Sequence, residues 1–179
     1  MILYITRHGQ TDNNINGIIQ GTIDTELNET GIKQAKILQE KLQNINLDLV
    51  ITSPLKRAIQ TAEIIIKDRD IPLIIDNRII ERNAGNYEGK SEIGYDHNKL
   101  WDYKLNTDLG ENIEKVQDIF KRVNIFLEEI KENYKNKTIL IVTHEATLRA
   151  LNYSIKGFNE NDNLKELQID NCTLFKYKI

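Results

Sequence analysis

The sequence is poor in cysteine and proline and has no long apolar segment. Its one cysteine, Cys172, excludes an internal disulfide and a cysteine-rich zinc site, and it fits a reducing compartment. No apolar run approaches the ~20 residues that a membrane-spanning helix requires. The apolar residues 2–5 are followed by Arg7 and His8, too early for the core of a signal peptide. We therefore expect a soluble, cytoplasmic protein without a membrane partner.

Neither sign of charge dominates the chain. It contains 24 lysines and arginines against 27 aspartates and glutamates, a formal net charge of -3, so no overall field attracts nucleic acid. The basic residues are also scattered, without an aromatic platform on which bases would stack. Because 40% of the residues are hydrophobic and no linker divides the chain, we expect a single domain over residues 1–179.

Short apolar runs alternate with segments of helical periodicity. The predicted strands cover residues 2–5, 47–51, 72–75 and 138–142, with a last, alternating edge strand at residues 173–179. The predicted helices cover residues 31–42, the residues after Ser53, residues 111–134 and residues 145–155. This alternation predicts an α/β fold, a three-layer α/β/α sandwich whose largely parallel sheet is covered by helices on both faces.

Several local features carry narrower predictions. Ser53 is a candidate cap for the helix that follows it, with Pro54 in the first turn, and Asn112 is a candidate cap for the long helix. Residues 28–30 are predicted to form a solvated turn. Residues 90–109 are polar and lack a clear period, so we interpret them as a short lid-like excursion. Local packing is favoured over substrate contact for its ring-bearing side chains, Tyr95, His97, Trp101 and Tyr103.

Charged and imidazole side chains follow the predicted strands where ligands bind in such sheets. Arg7 and His8 come directly after the first strand, and Arg57 lies in the first turn of the helix after the second. Glu81 follows the third strand, and His144 ends the fourth. Because the carboxyl ends of parallel strands meet at one edge of a sheet, we expect these four segments to form one site.

These residue types suit the transfer of a phosphoryl group. Two guanidinium groups fit a phosphate dianion, and their charge opposes protonation of a neighbouring imidazole, which stays available as a nucleophile. A carboxylic acid near the bound dianion retains its proton and can donate it to a departing alkoxide. No metal or cofactor is required, because the arginines supply the positive charge. The two histidines and Glu81 are donors that zinc accepts, but the arginines would repel a cation.

The ordered series of motifs resembles the histidine phosphatase superfamily, the phosphoglycerate mutase-like proteins. The resemblance covers most of the chain and is specific because several blocks occur in order. The blocks are Arg7-His8-Gly9-Gln10-Thr11 with Asn14; Gln20-Gly21, Asp24, Leu27, Gly31 and Gln34-Ala35; Ser53-Pro54-Leu55, Arg57-Ala58 and Gln60-Thr61-Ala62; Glu81-Arg82, Gly85 and Glu88-Gly89; Gly110-Glu111; and Val142-Thr143-His144 with Arg149.

The resemblance implies a role for each matched residue. His8 would be the nucleophile that becomes phosphohistidine, Glu81 the proton donor and acceptor, and Arg7, Arg57 and His144 phosphate contacts. Further candidates for contacting phosphate or substrate are Asn14, Gln20, Gly21 and Glu145. Without the resemblance, the sequence fits Asn14 as a turn residue as well as it fits Asn14 as a phosphate ligand. It likewise fits Gln20 as a group that hydrogen-bonds to other site residues, or as a surface residue. Glu145 stands where the family usually has glycine, and a carboxylate there is expected to weaken phosphate binding or shift the pH optimum.

We therefore predict a metal-independent phosphomonoesterase that acts on a small phosphorylated metabolite. A phosphoglycerate-type mutase is the alternative enzyme, although the modest segment between Gly89 and Gly110 suits hydrolysis better than retention of an intermediate. A module that binds a phosphorylated ligand without turnover is a third hypothesis, motivated by Glu145. From the residues alone, an ordinary salt bridge between Arg57 and Glu81 also stays open, and the predicted edge strand leaves room for a homodimer.

Overall fold

A five-stranded sheet forms the centre of the described structure. The computed structural model describes residues 1–94, 96–104 and 112–179. Within them the strands are β1 (Ile2–Arg7), β2 (Leu49–Thr52), β3 (Leu73–Ile75), β4 (Thr138–Thr143) and β5 (Leu174–Lys178), arranged in the order β3-β2-β4-β1-β5. The first four pair in parallel, whereas β5 runs antiparallel to β1 at the edge. The largely parallel sheet and its C-terminal edge strand are thereby confirmed.

Helices cover both faces of the sheet. In the described ranges they are α1 (Asp12–Ile15), α2 (Glu29–Leu42), α3 (Lys56–Ile66), α4 (His97–Leu100), α5 (Val116–Asn133) and α6 (Glu145–Lys156), with 3₁₀ turns at Asn77–Ile79 and Gly85–Tyr87. None of the helices in these ranges is long and apolar enough to cross a membrane.

The side chains of β1 alternate between two apolar layers, as the period of a strand requires. Leu3 and Ile5 belong to a core cluster that α5 and α6 cover, while Tyr4 belongs to the cluster under α2 and α3. The stripe predicted for the long helix is buried in the first cluster: Val116, Ile119, Phe120, Val123, Phe126 and Ile130. The three-layer α/β/α architecture is therefore confirmed.

The pairing register aligns the carboxyl ends of the three central strands. Arg7 at the end of β1 pairs with Thr143 of β4, and Thr52 at the end of β2 pairs with Val142. The next residues of β1 and β4 therefore leave the sheet side by side. This alignment, set by backbone hydrogen bonds, brings His8 and His144 to the same edge.

Three of the predicted helix beginnings are wrong, and the first two lie in the first half of the chain. The first helix, predicted from residue 31, begins at Glu29, and Asn28 caps it by accepting a hydrogen bond from the amide of Gly31 at 2.9 Å. Residues 28–30 are therefore not a solvated turn. Ser53 does not cap α3, which begins at Lys56 with Leu55 in the cap position. The Ser53 hydroxyl accepts from the amide of Leu55 at 3.4 Å, and it lies 2.6 Å from Nε2 of His144.

The long helix also begins later than its sequence pattern suggests. Residues 113–115 are not helical, and Asn112 has a positive φ of 59°, so it does not cap a helix that begins at Val116. Glu114 instead pairs with the segment after Glu81: its amide donates to the carbonyl of Asn83 at 2.9 Å, and its carbonyl accepts from Nε of Arg82 at 2.8 Å. These hydrogen bonds to a distant segment of the same chain take the place of the first helical turn.

Part of the predicted lid is described. Tyr95, the side chain of His97 and residues 105–111, which include the Gly110-Glu111 motif, lie outside the described residues. Tyr103 packs edge-on against Phe120 and Phe158, with centroid distances of 5.4 and 4.9 Å. This contact agrees with the local packing predicted for Tyr103.

Two glycines let the loop after β1 touch the start of α2. A Cβ on Gly9 would lie 2.6 Å from the carbonyl oxygen of Gly31, and a Cβ on Gly31 would lie 2.1 Å from that of Gln10. Both neighbours are backbone atoms, which cannot move as a flexible side chain does. The glycine after His8 is therefore required by backbone packing.

We expect Gly31→Ala to destabilise the fold by about 1–3 kcal/mol through overpacking, despite the better helix propensity of alanine. For a chain of this size that corresponds to a fall in Tm of roughly 2–4 °C per kcal/mol, measured by calorimetry. Thr30→Ala, an exposed change on the same helix turn, is the matched control and should leave the Tm nearly unchanged. An unchanged or higher Tm for Gly31→Ala would contradict the packing argument.

Candidate active site

A cleft of about 380 Å³ opens at the carboxyl edge of the sheet. Eight of the nine residues predicted for the site line it: Arg7, His8, Asn14, Gln20, Gly21, Arg57, Glu81 and Glu145. The ninth, His144, is 0% exposed and does not line the cleft, although it lies beside His8. The expected convergence of four distant segments is thus present in the fold.

Arg57 joins the two imidazoles. Its Nε–H faces both Nε2 of His8 and Nδ1 of His144 at 3.2 Å, so that one hydrogen is shared between two acceptors. The two rings are 5.1 Å apart between centroids and tilted by 58°. Arg57 is 1% exposed and His8 is 2% exposed, so this group of three is almost completely removed from water.

The hydrogen bonds of His8 fix which nitrogen carries the lone pair. Nδ1 lies 2.7 Å from the carbonyl oxygen of Gly9, which can only accept, so Nδ1 carries the hydrogen. Nε2 is therefore the basic nitrogen, and it faces the Arg57 guanidinium. Burial lowers the pKa of His8 well below its usual value, and the positive charges of Arg57 and Arg7 lower it further. The His8 ring is accordingly neutral, with its Nε2 lone pair facing Arg57.

His144 is neutral for the same physical reasons. Its Nδ1 accepts from Arg57, so its Nε2–H donates to the hydroxyl of Ser53 at 2.6 Å. Burial lowers the pKa of His144 well below its usual value, and Arg57 is the next largest cause. Ser53 thus fixes the orientation of a second imidazole in the site.

Backbone carbonyls hold the far end of Arg57. Its Nη2 donates to the carbonyl of Gly21 at 2.8 Å, and its Nη1 donates to that of Ile23 at 2.7 Å. Gly21 has a positive φ of 49°, and a Cβ there would lie 2.1 Å from Oε1 of Glu88. Burial lowers the pKa of Arg57 to about 10, which still leaves it charged at neutral pH. Gly21 therefore serves the site through its carbonyl group.

Arg7 is held by a carboxylate at the cleft. Its Nη1 donates to the carbonyl of Ile169 at 2.8 Å and forms a salt bridge with Oε2 of Glu145 at 2.9 Å. The other oxygen of Glu145, Oε1, lies 3.2 Å from Nη2 of Arg149, one helical turn further along α6. Glu145 thus connects a phosphate-binding candidate to a second arginine.

Glu81 lies at the N-terminus of α6. Its carboxylate accepts from the amides of Arg82 at 2.9 Å, Thr147 at 3.3 Å and Ala146 at 3.4 Å. Burial raises the pKa of Glu81 and the charge of Glu145 adds to that rise, against the lowering effects of the Arg82 amide, Arg57 and Arg7. Arg57 makes its hydrogen bonds to imidazoles and carbonyls, so the ordinary Arg57–Glu81 salt bridge is not formed.

Asn14 and Gln20 are fixed by the hydroxyl of Thr11. The Asn14 side-chain oxygen accepts from the amide and the hydroxyl of Thr11, both at 3.1 Å, and that of Gln20 accepts from the same hydroxyl at 3.0 Å. Both residues line the cleft, and the side-chain oxygen of each faces Thr11. Thr11 also caps α1, so Asn14 is a residue of the first helical turn that lines the cleft, and not a turn residue outside a helix.

Comparison with known proteins identifies the family. The model of the histidine phosphatase superfamily (branch 1) matches residues 3–179. The chain belongs to this superfamily. It is 32% identical over 163 residues to phosphoserine phosphatase 1 of Hydrogenobacter thermophilus, an alignment that covers 87% of this chain and 76% of the relative. Its relatives in the superfamily are phosphatases and mutases.

A mutase and a solved structure show the same relationship. The chain is 33% identical over 170 residues to the 2,3-bisphosphoglycerate-dependent phosphoglycerate mutase of Cytophaga hutchinsonii, covering 90% of this chain and 80% of the mutase. The YhfR structure of Bacillus stearothermophilus matches with a TM-score of 0.88 and 30% identity, over 99% of this chain and 91% of that one. The phosphoglycerate mutase-like fold predicted from the motifs is confirmed.

The sequence did not reveal the cleft residue Asn171, and for Trp101 it favoured local packing. Asn171 donates from Nδ2 to the carbonyl of His8 at 2.9 Å. It precedes β5, whose antiparallel direction brings its amino end to the carboxyl edge of β1, and the predicted edge strand did not include that direction. Trp101 lines the cleft and is 8% exposed, with the guanidinium carbons of Arg82 and Arg149 5.5 and 5.4 Å from its ring centroids. It therefore combines packing with a place in the cleft wall.

The two buried neutral imidazoles predict a loss of stability in acid. In the unfolded chain a histidine titrates near pH 6.5, whereas the folded pKa values of His8 and His144 are lower. The unfolded state therefore binds more protons, and the free energy of unfolding falls as the pH drops below about 6.5, by up to about 1.4 kcal/mol per pH unit for each ring.

We expect the Tm to fall between pH 7.5 and 5.5, and to fall less steeply for His144→Gln, which removes one of the two rings. The measurement is calorimetry of both proteins across this pH range. Equal slopes for the wild type and the variant would show that His144 does not titrate differently in the two states.

Proposed function

We propose that the protein is a phosphomonoester hydrolase that works through phosphohistidine at Nε2 of His8. One observation carries the proposal: the lone pair of Nε2 faces the Arg57 guanidinium in a cleft that also holds Glu81. A neutral nucleophile, a fixed positive charge and an acid with a raised pKa are the groups that a two-step phosphoryl transfer needs.

In the first step, the lone pair of His8 Nε2 forms the bond to phosphorus while the bond from phosphorus to the leaving oxygen breaks. Glu81 gives its proton to that oxygen, which departs as an alcohol. In the second step, the Glu81 carboxylate takes a proton from water as the water oxygen attacks phosphorus. The N–P bond then breaks, its electron pair returns to Nε2, and inorganic phosphate leaves.

Arg57 changes partners during this reaction. In the free enzyme its Nε–H faces the lone pair that must attack, so the phosphoryl oxygens have to take over that donor. The carbonyls of Gly21 and Ile23 keep the guanidinium in place during the exchange. Arg7 and Arg57 each contribute on the order of 4 kcal/mol of attraction at ~4 Å and an effective dielectric near 20, before desolvation is subtracted. Asn14 is a further phosphate contact in this proposal.

His144 contacts phosphate only after gaining a proton. Its Nδ1 carries a lone pair in the free enzyme, which would repel a phosphoryl oxygen. A bound dianion favours the protonated imidazole. The proton enters with a monoanionic ester, whose phosphate becomes the dianion as Nδ1 takes it up. Nδ1–H then donates to the phosphoryl group while Nε2–H stays on Ser53. This sequence of events explains how a buried ring of low pKa takes part in charge stabilisation.

The proposal includes the substrate class and the setting of the reaction. The substrate is a small phosphorylated metabolite, and the arginines make a metal unnecessary. The enzyme works in the cytoplasm, and a homodimer would form through the edge strand β5. A mutase activity has support from the Cytophaga hutchinsonii relative. It would be recognised by isomerisation of a phosphoglycerate with little release of phosphate.

We expect His8→Ala to abolish the release of phosphate from p-nitrophenyl phosphate, together with the acid-labile phosphoenzyme trapped by a quench. The wild-type rate should not change on addition of a chelator. Because Arg7 and Arg57 remain, the variant should still bind inorganic phosphate, which the fluorescence of the single tryptophan, Trp101, reports from the cleft wall. Residual turnover through a phosphoenzyme in the variant, or inhibition of the wild type by the chelator, would contradict the proposal.

Glu81→Gln should separate substrates by leaving group. An alkyl phosphate requires protonation of its leaving oxygen, so kcat should fall about 10²- to 10⁴-fold. The p-nitrophenolate group leaves without a proton, so formation of the phosphoenzyme from p-nitrophenyl phosphate should fall much less in a rapid-quench measurement. Glu63→Gln, on the exposed side of α3, is the control and should match the wild type. An equal loss with both substrates would exclude Glu81 as the acid.

A further inference from the structure

Glu145 occupies a position from which it competes with phosphate for Arg7. Its Oε2 lies 2.9 Å from Nη1 of Arg7, and its side chain is 44% exposed. Its Oε1 lies 3.2 Å from Nη2 of Arg149, so the carboxylate remains anchored when a ligand takes over Arg7. A negative charge therefore stays in the cleft after phosphate has bound.

The charged residues that line the cleft disfavour a second anionic group on the substrate. Among its described residues, three arginines face three glutamates: Arg7, Arg57 and Arg82 against Glu81, Glu92 and Glu145. The phosphate dianion uses Arg7 and Arg57. Arg82 donates from Nε and Nη1 to the carbonyls of Glu114 and Leu100 and lies over the ring of Trp101. Because Arg82 is already engaged, a carboxylate or second phosphate on the substrate would meet the carboxylate of Glu145 without an uncommitted arginine beside it.

Glu145 also lies next to the residue whose amide holds Glu81. It is followed by Ala146, whose amide donates to Oε2 of Glu81 at 3.4 Å, and Glu81 is the proposed donor to the leaving oxygen. Burial is the largest cause of the raised pKa of Glu81, and the charge of Glu145 also raises it, whereas the Arg82 amide, Arg57 and Arg7 lower it. The two carboxylates are therefore within electrostatic reach of one another. The alcohol part of the substrate therefore passes Glu145.

Resting on the proposed phosphatase function, we propose that Glu145 is a specificity-determining residue that selects phosphomonoesters whose alcohol carries an ammonium group. When Arg7 leaves Glu145 and binds the phosphate, the ammonium group interacts with the Glu145 carboxylate. The same carboxylate repels an alcohol part that carries an anion. Selectivity arises from both the attraction and the repulsion.

Three substrates that differ in one group test this assignment: 2-aminoethyl phosphate, 2-hydroxyethyl phosphate and 2-phosphoglycolate. For the wild type we expect kcat/KM to decrease in that order. Glu145→Gln releases Arg7 and so strengthens phosphate binding for all three, which makes ratios of kcat/KM the informative quantity. The ratio of the aminoethyl ester to the glycolate should fall by about tenfold or more in the variant.

Two further variants separate charge from packing. Glu145→Asp keeps the charge and should retain the substrate order, while Glu128→Gln removes an exposed charge from α5 and should leave every ratio unchanged. In Glu145→Gln the alkaline limb of the pH profile should move to lower pH, because Glu81 loses a neighbouring negative charge and releases its proton more easily. A merely structural role would not produce this shift.

The outcomes distinguish this inference from the proposed function. If the wild type hydrolyses none of the three esters nor p-nitrophenyl phosphate and forms no phosphoenzyme, the phosphatase function itself fails. If turnover is present but the glycolate is preferred, or the ratio is the same in the wild type and Glu145→Gln, the role of Glu145 is overturned and the phosphatase function stands.

Discussion

Arg57 offers one N–H to two neutral imidazoles, and the geometry of the cleft depends on that shared hydrogen. Burial keeps both rings uncharged, and the carbonyls of Gly21 and Ile23 hold the guanidinium against them. Among the residues that the structure describes, no carboxylate is in direct contact with Arg57, and Glu81, Asp24 and Glu88 act on it only through longer-range electrostatic attraction. Under the proposed function, a bound dianion would add the direct contact.

Much of the fold followed from the pattern of apolar residues. The period of two in β1 and the helical stripe of α5 each place side chains on the faces where the structure has them. The meeting of the candidate residues in one cleft also followed, because the carboxyl ends of parallel strands share an edge. Helix beginnings did not follow, since Ser53 and Glu114 take long-range partners that no local pattern reveals.

The site was predictable in its composition and less so in its connections. Arg7, His8, Arg57 and Glu81 reach one cleft as their spacing and resemblance indicated. The ion pair between Arg7 and Glu145 depends on the side-chain directions at the end of β1 and at the start of α6. The spacing of residues in the sequence does not determine these directions. Asn171 was overlooked because its contact with His8 depends on the antiparallel direction of β5. The residue types of the site were thus easier to predict than the contacts that position them.

The close approach of Gly9 and Gly31 has a consequence for how the site responds to its surroundings. Backbone atoms in contact are kept apart by short-range repulsion, which has no dependence on ionic strength. The ion pairs of Arg7 and Glu145 are partly exposed and are weakened by added salt. Added salt should therefore weaken the Arg7–Glu145 ion pair, while the loop that carries His8 stays where steric contact holds it.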